Sequence, residues 1–66
     1  MEDVPRYVDE REVSRLTSRA LSTLRNERCL RRGIPYLKCG RRVLYRLDDV
    51  VNFMESRRVH FEEAQS

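Results

Sequence analysis

Apolar and polar positions alternate in a different way in each part of this chain, and each pattern predicts its own element. Asp9-Glu10-Arg11-Glu12 has the D-x-x-E form of a capping box. In that arrangement Asp9 accepts from the Glu12 amide and the Glu12 carboxylate reaches back to the Asp9 amide. Val8 and Val13 stand where a hydrophobic staple needs them, so a helix is expected to start at Glu10 with Val13 and Leu16 on its inner face. Leu16-Thr17-Ser18-Arg19 reads as a turn. A second helix is expected from Ala20 to Arg28 or Cys29. At about 100° per residue, Leu21 and Leu24 point inward with Ala20 beside them. Arg19, Ser22 and Asn26 point the other way, flanked by Thr23 and Arg25.

Gly33 permits a turn out of that helix and Pro35 bars its continuation. Gly33–Arg46 then reads as two short strands around a turn at Gly40-Arg41. A two-residue loop would pair Cys39 with Arg42 and Lys38 with Val43, mixing charged and apolar residues on both faces. A three-residue loop pairs Lys38 with Arg42 and Leu37 with Val43. It puts Leu37, Val43 and Tyr45 inward, and Tyr36, Lys38, Arg42 and Leu44 outward. A slip of one residue inverts the faces, so burial favours the odd loop. Leu44 is then an outward apolar residue with no role except contact with a partner. A hairpin this small has no core of its own and must lean on its flanks.

Leu47, Val50, Val51 and Met54 follow i, i+3, i+4, i+7 and predict a closing helix over Asp48–Arg57, with Phe53 at the edge of the stripe. Asp48 and Asp49 fall in its first turn, where the helix dipole favours negative charge. Residues 1–8 read as an irregular lead-in, with Pro5 against helix and Tyr7 free to pack on the core. Residues 9–57 read as the folded domain and residues 58–66 as a flexible tail. The expected fold class is mostly α with a small β-hairpin.

Length and composition narrow the function classes. Sixty-six residues allow one domain with a small core. No apolar run approaches the ~18 residues needed to cross a bilayer. The start MEDVPRYVDE is acidic and has no apolar signal core, so a cytoplasmic protein is expected. Cys29 and Cys39 lack metal-ligand spacing and His60 is the single histidine. No zinc site or other cofactor is expected, and the cysteines read as semi-buried reduced thiols. Catalysis would need a paired base and nucleophile, whereas His60 falls in the tail, far from either thiol; the expectation is a protein that is not an enzyme.

Charge is what separates this chain from a generic small domain. The net charge is +3, but residues 19–46 hold nine of the fourteen Lys and Arg and a single acid, Glu27. Thirteen of the fourteen are Arg, which suits planar contacts to phosphate and guanine better than general solubility does. The outer face of the second helix carries Arg19, Ser22, Thr23, Arg25 and Asn26. These are the residue types that read major-groove edges: Arg to guanine, Asn to adenine, Ser or Thr to either. Arg31 and Arg32 after the helix suit phosphate contacts, and Lys38, Arg41, Arg42 and Arg46 give the hairpin a basic finger without an acid.

With these residues in place the chain resembles the short winged helix-turn-helix proteins of the excisionase and AlpA-type phage-regulator family, relatives of the MerR-type DNA-binding domain. EVSRLTSRALSTLRNER matches the helix-turn-helix, GIPYLKCGRRVLYR the wing and LDDVVNFM the closing helix. The resemblance implies that the second helix enters the major groove with Ser22, Thr23, Arg25 and Asn26 facing bases. It places Arg41 and Arg42 at the tip of a wing on the backbone or minor groove. Ser18 stands where the family's turn often has glycine, Ala20 where a Ser cap is usual, and Glu27 where an aromatic is frequent. The implied function is sequence-selective binding of double-stranded DNA for a bacterial or phage mobile element, as an excisionase (a recombination directionality factor) or a small transcriptional regulator. An integrase and further copies of the chain on adjacent sites are the implied partners. The competing expectation is a protein-interaction module that docks on an integrase or a response regulator.

Overall fold

Asp9 ends a strand and starts a helix in the computed structural model, which describes residues 4–61. The strand, β1 (Tyr7–Asp9), occupies what the pattern predicted to be an irregular lead-in. The helix, α1 (Glu10–Thr17), begins where predicted, with an Asp9 carboxylate oxygen accepting from the Glu12 amide at 2.9 Å. The capping box is one-sided, because the Glu12 carboxylate turns forward to Arg15. Val13 is fully buried as expected, but Leu16 is 44 % exposed. Thr17 takes the second inner position, where its hydroxyl donates to the Val13 carbonyl at 2.7 Å and accepts from the Arg19 amide at 3.3 Å. The helix therefore runs two residues into the predicted turn, and Ser18 closes it in the left-handed region with φ of 58°.

Helix α2 (Leu21–Cys29) starts after Ala20, whose extended backbone is that of an N-cap but whose methyl offers no hydrogen bond. Leu24 is buried and Leu21 packs against it, while Ala20 is exposed rather than inward. The chain then passes Ile34, a core residue in the connection, into β2 (Leu37–Cys39) and β3 (Arg42–Arg46). Strand β3 runs directly into α3 (Leu47–Glu55), shorter at its end than the predicted span.

The three strands form one antiparallel sheet in the order β1-β3-β2. Pairing on one side is Tyr7 with Arg46, Val8 with Tyr45 and Asp9 with Leu44. On the other side, Cys39 pairs with Arg42, Lys38 with Val43 and Leu37 with Leu44, so the loop at Gly40-Arg41 has two residues and not three. Gly40 has φ of +63° whereas Arg41 is not in the positive region, the φ signs of a II′ turn with glycine at its first central position. The expected register fails because β2 is exposed throughout and has no buried face to align. Val8 opposite Tyr45, on the far side of β3, is what fixes the inner face of that strand. Leu37 consequently lies on the outer face, where it meets Leu44 and accounts for that residue. Tyr36 is turned to the core side, its ring centroid 6.3 Å from that of Tyr45.

The core is Val13, Leu24, Ile34, Tyr45 and Val50, one residue from each of five segments, with Val8, Leu21, Val43 and Phe53 packed around it. Of the predicted stripe on α3, Val50 is buried and Leu47 half-buried. Val51 and Met54, at 49 % and 38 % exposure, instead join Leu16 along an open apolar groove between α1 and α3. Both cysteines are free and exposed, not semi-buried. Val59 and Phe61 of the predicted tail are exposed; its last five residues lie outside those described. Among the described residues no helix is long and apolar enough to cross a membrane, and no cluster of His, Cys, Asp or Glu could hold a metal ion.

Candidate nucleic-acid interface

The polar side of α2 faces solvent. Ser22, Thr23, Arg25 and Asn26 are all exposed, because Leu21 and Leu24 take up the side that meets the core. Arg19 does not join them. Its side chain is 23 % exposed, ion-paired with Glu27, and stacked with its guanidinium carbon 5.2 Å from the Phe53 ring centroid. Phe53 carries a second guanidinium, that of Arg57, at 3.8 Å. Glu27 occupies the place where the family resemblance suggested an aromatic. It uses the room left by Gly33, at which a Cβ would come within 2.7 Å of the Glu27 carboxylate. Arg19 is thus a clamp between the start of α2 and α3, and it leaves the predicted set.

Arg25 is held without being hidden. Its Nε and Nη2 donate to the two carboxylate oxygens of Glu10 at 3.3 and 2.7 Å, and 55 % of its side chain stays exposed. Glu10 also accepts from Arg28 Nη2 at 3.1 Å, and Arg28 Nη1 donates to the Tyr45 hydroxyl at 2.7 Å. The Arg28 guanidinium lies 5.7 Å from the Tyr36 ring centroid and 6.0 Å from that of Tyr45. The bonds from Arg25, partly opposed by desolvation and helped by Arg28, hold the Glu10 carboxyl below its ordinary value. Glu10 therefore joins α1 to α2, and Arg28 extends that link to the sheet.

A shallow groove of about 300 Å³ between the start of α1 and the hairpin tip is lined by Asp9, Glu10, Arg11, Arg28, Arg41, Arg42 and Val43. It brings the predicted hairpin cations beside Arg28 and Arg11, neither of which the sequence reading singled out. Arg31 and Arg32 are exposed at a second open depression of about 450 Å³, which Tyr36 also lines. Arg31 has φ of 57°, a left-handed bend that takes the chain off the helix end. Lys38 is exposed on β2. Arg46 lies on the outer sheet face opposite Tyr7, with Asp48 at 3.5 Å.

Of the eleven predicted binding residues, Ser22, Thr23, Arg25 and Asn26 share one helix face, and Arg41 and Arg42 share the groove that Glu10 and Arg28 tie to that helix. Arg31 and Arg32 sit beyond Tyr36, Lys38 and Arg46 are exposed on the sheet, and Arg19 is drawn inward. Sequence reasoning missed Glu10, Arg11 and Arg28 because the pairing of β1 with β3, which sets α1 beside the hairpin, is not visible in the local pattern. A three-residue strand beside Pro5 leaves too short an alternation to read. No family model, no curated protein and no solved structure matches the chain.

Proposed function

We propose that the protein is a non-enzymatic, sequence-selective binder of double-stranded DNA, built as a winged helix-turn-helix. Helix α2 lies in the major groove and the β2–β3 hairpin acts as the wing on the backbone or minor groove. The observation that carries this reading is the exposed row Ser22, Thr23, Arg25 and Asn26 on α2, linked through Glu10 and Arg28 to the arginines at the hairpin tip. Base-reading side chains on a helix beside a cationic finger provide both the specific and the phosphate contacts such binding requires. The resemblance of Gly33–Arg46 and Leu47–Met54 to excisionases and AlpA-type regulators supports a role in a mobile element, in excision beside an integrase or in transcription. One copy offers few phosphate contacts, so several copies on adjacent sites would supply affinity and curvature.

Selection of sequences from a random duplex pool, followed by titration of the winner at several salt concentrations, tests the reading. A defined site should emerge, and affinity should fall steeply and linearly in log salt. Absence of any selected sequence would refute it.

A second reading, docking on an integrase or response regulator, is favoured by the open groove of about 250 Å³ lined by Leu16, Leu47, Val51 and Met54. Binding through that surface would change little with salt and would be lost in Met54→Asp, with duplex affinity unaffected.

A further inference from the structure

The bond pattern around Arg25 goes further than exposure alone. A guanidinium has two edges that can grip a planar pair of acceptors, one through Nε and Nη2 and one through Nη1 and Nη2. Glu10 occupies the first, at 3.3 and 2.7 Å. The second edge is left with donors to spare, on a side chain that is 55 % exposed. That free fork matches the O6 and N7 acceptors of guanine in the major groove. Glu10 is itself fixed: it is the first residue of α1, its side chain is only 21 % exposed, and Arg28 Nη2 donates to the same Oε1 that accepts from Arg25 Nε. Arg28 in turn is tied to the Tyr45 hydroxyl in the core.

We infer that Glu10 is a positioning residue that holds Arg25 side-on, so that its remaining edge reads a guanine in the target duplex. The inference rests on the proposed DNA-binding function and adds to it the base recognised and the residue that orients its reader. An arginine with one edge bound has fewer rotamers to lose when it meets the base, so discrimination improves while non-specific attraction is reduced by the nearby negative charge. An acid that only supported the fold would not separate those two effects.

The test uses the full chain and the selected site, with single guanines exchanged for other pairs or for 7-deazaguanine, which lacks the N7 acceptor. One guanine should lose its advantage in Arg25→Ala. At that same position Glu10→Gln should lose about tenfold in discrimination, while its affinity for unrelated duplex stays level or rises. Tyr45→Phe removes the hydroxyl under Arg28 but not the Arg25–Glu10 pair, and should keep the guanine preference even if it melts earlier. A preference that needs Arg25 and is untouched in Glu10→Gln overturns the positioning role and leaves DNA reading intact. An equal loss on every duplex in Glu10→Gln, matched by Tyr45→Phe, also overturns it, because Glu10 would then act through the fold. Failure of the wild-type chain to select any sequence overturns both.

Discussion

Arg19 lies over Phe53 and against Glu27, whereas Arg25 on the same helix-turn segment is bonded side-on and half in solvent. The helical pattern puts Arg19 on the outer face and Arg25 on its flank, because it knows nothing of an aromatic ring arriving from α3. Arg19→Ala should leave the Glu27 carboxylate, 17 % exposed, without its partner. We expect a loss of about 1–3 kcal/mol in urea unfolding, with the ranking of duplex sequences unchanged. Ala20 is legible in the sequence as a missing cap, and the structure agrees. Ala20→Ser should add about 1 kcal/mol, seen as a rise in melting temperature. Glu10 gives a pH signature. Its carboxyl titrates below its ordinary value in the folded protein, so the stability it contributes is present above the unfolded value and is lost as pH falls through the folded one. Wild type and Glu10→Gln should differ in urea midpoint near neutrality, and the difference should shrink on acidification.

Among the elements, the starts of helices were the readable part, because a cap is a matter of a few adjacent residues. Asp9 announces α1, and Asp48 and Asp49 mark the first turn of α3. The hairpin register was not readable from the hairpin itself. Leu37 reads as a core residue in sequence, yet it lies across from the outward Leu44 on the outer side, since Val8 has taken the position across from Tyr45. The elements also divide the proposed work. Asn26→Ala on α2 should relax sequence preference, as Arg25→Ala does. Arg42→Ala on the hairpin should weaken all duplexes alike and lower the magnitude of the salt slope by about 1. Competition between selected and scrambled duplexes reads the difference, and equal losses from the three substitutions would contradict the division.

At the scale of the molecule, five segments each give one side chain to a single core, so no segment has a private interior. Leu24→Ala should cost about 2–5 kcal/mol. A domain of this length has roughly 3–10 kcal/mol in all, so circular dichroism should show unfolding as one transition far below that of the wild type. The basic middle of the sequence leaves Arg25, Arg41 and Arg42 exposed and draws Arg19 and Arg28 inward. Its layout was hidden, because the strand that brings α1 to the hairpin is three residues long and leans on residues far along the chain.

That strand has a practical consequence. The Leu47 amide bonds to the Arg6 carbonyl at 2.8 Å, just where β3 becomes α3, so the beginning of the chain also braces the root of the last helix. A truncation that begins at the helix cap would look harmless on paper. It would strip one flank of the central strand bare, turning a shielded ribbon into an adhesive one that recruits neighbours. Affinity handles and fluorescent fusions therefore belong at the other terminus.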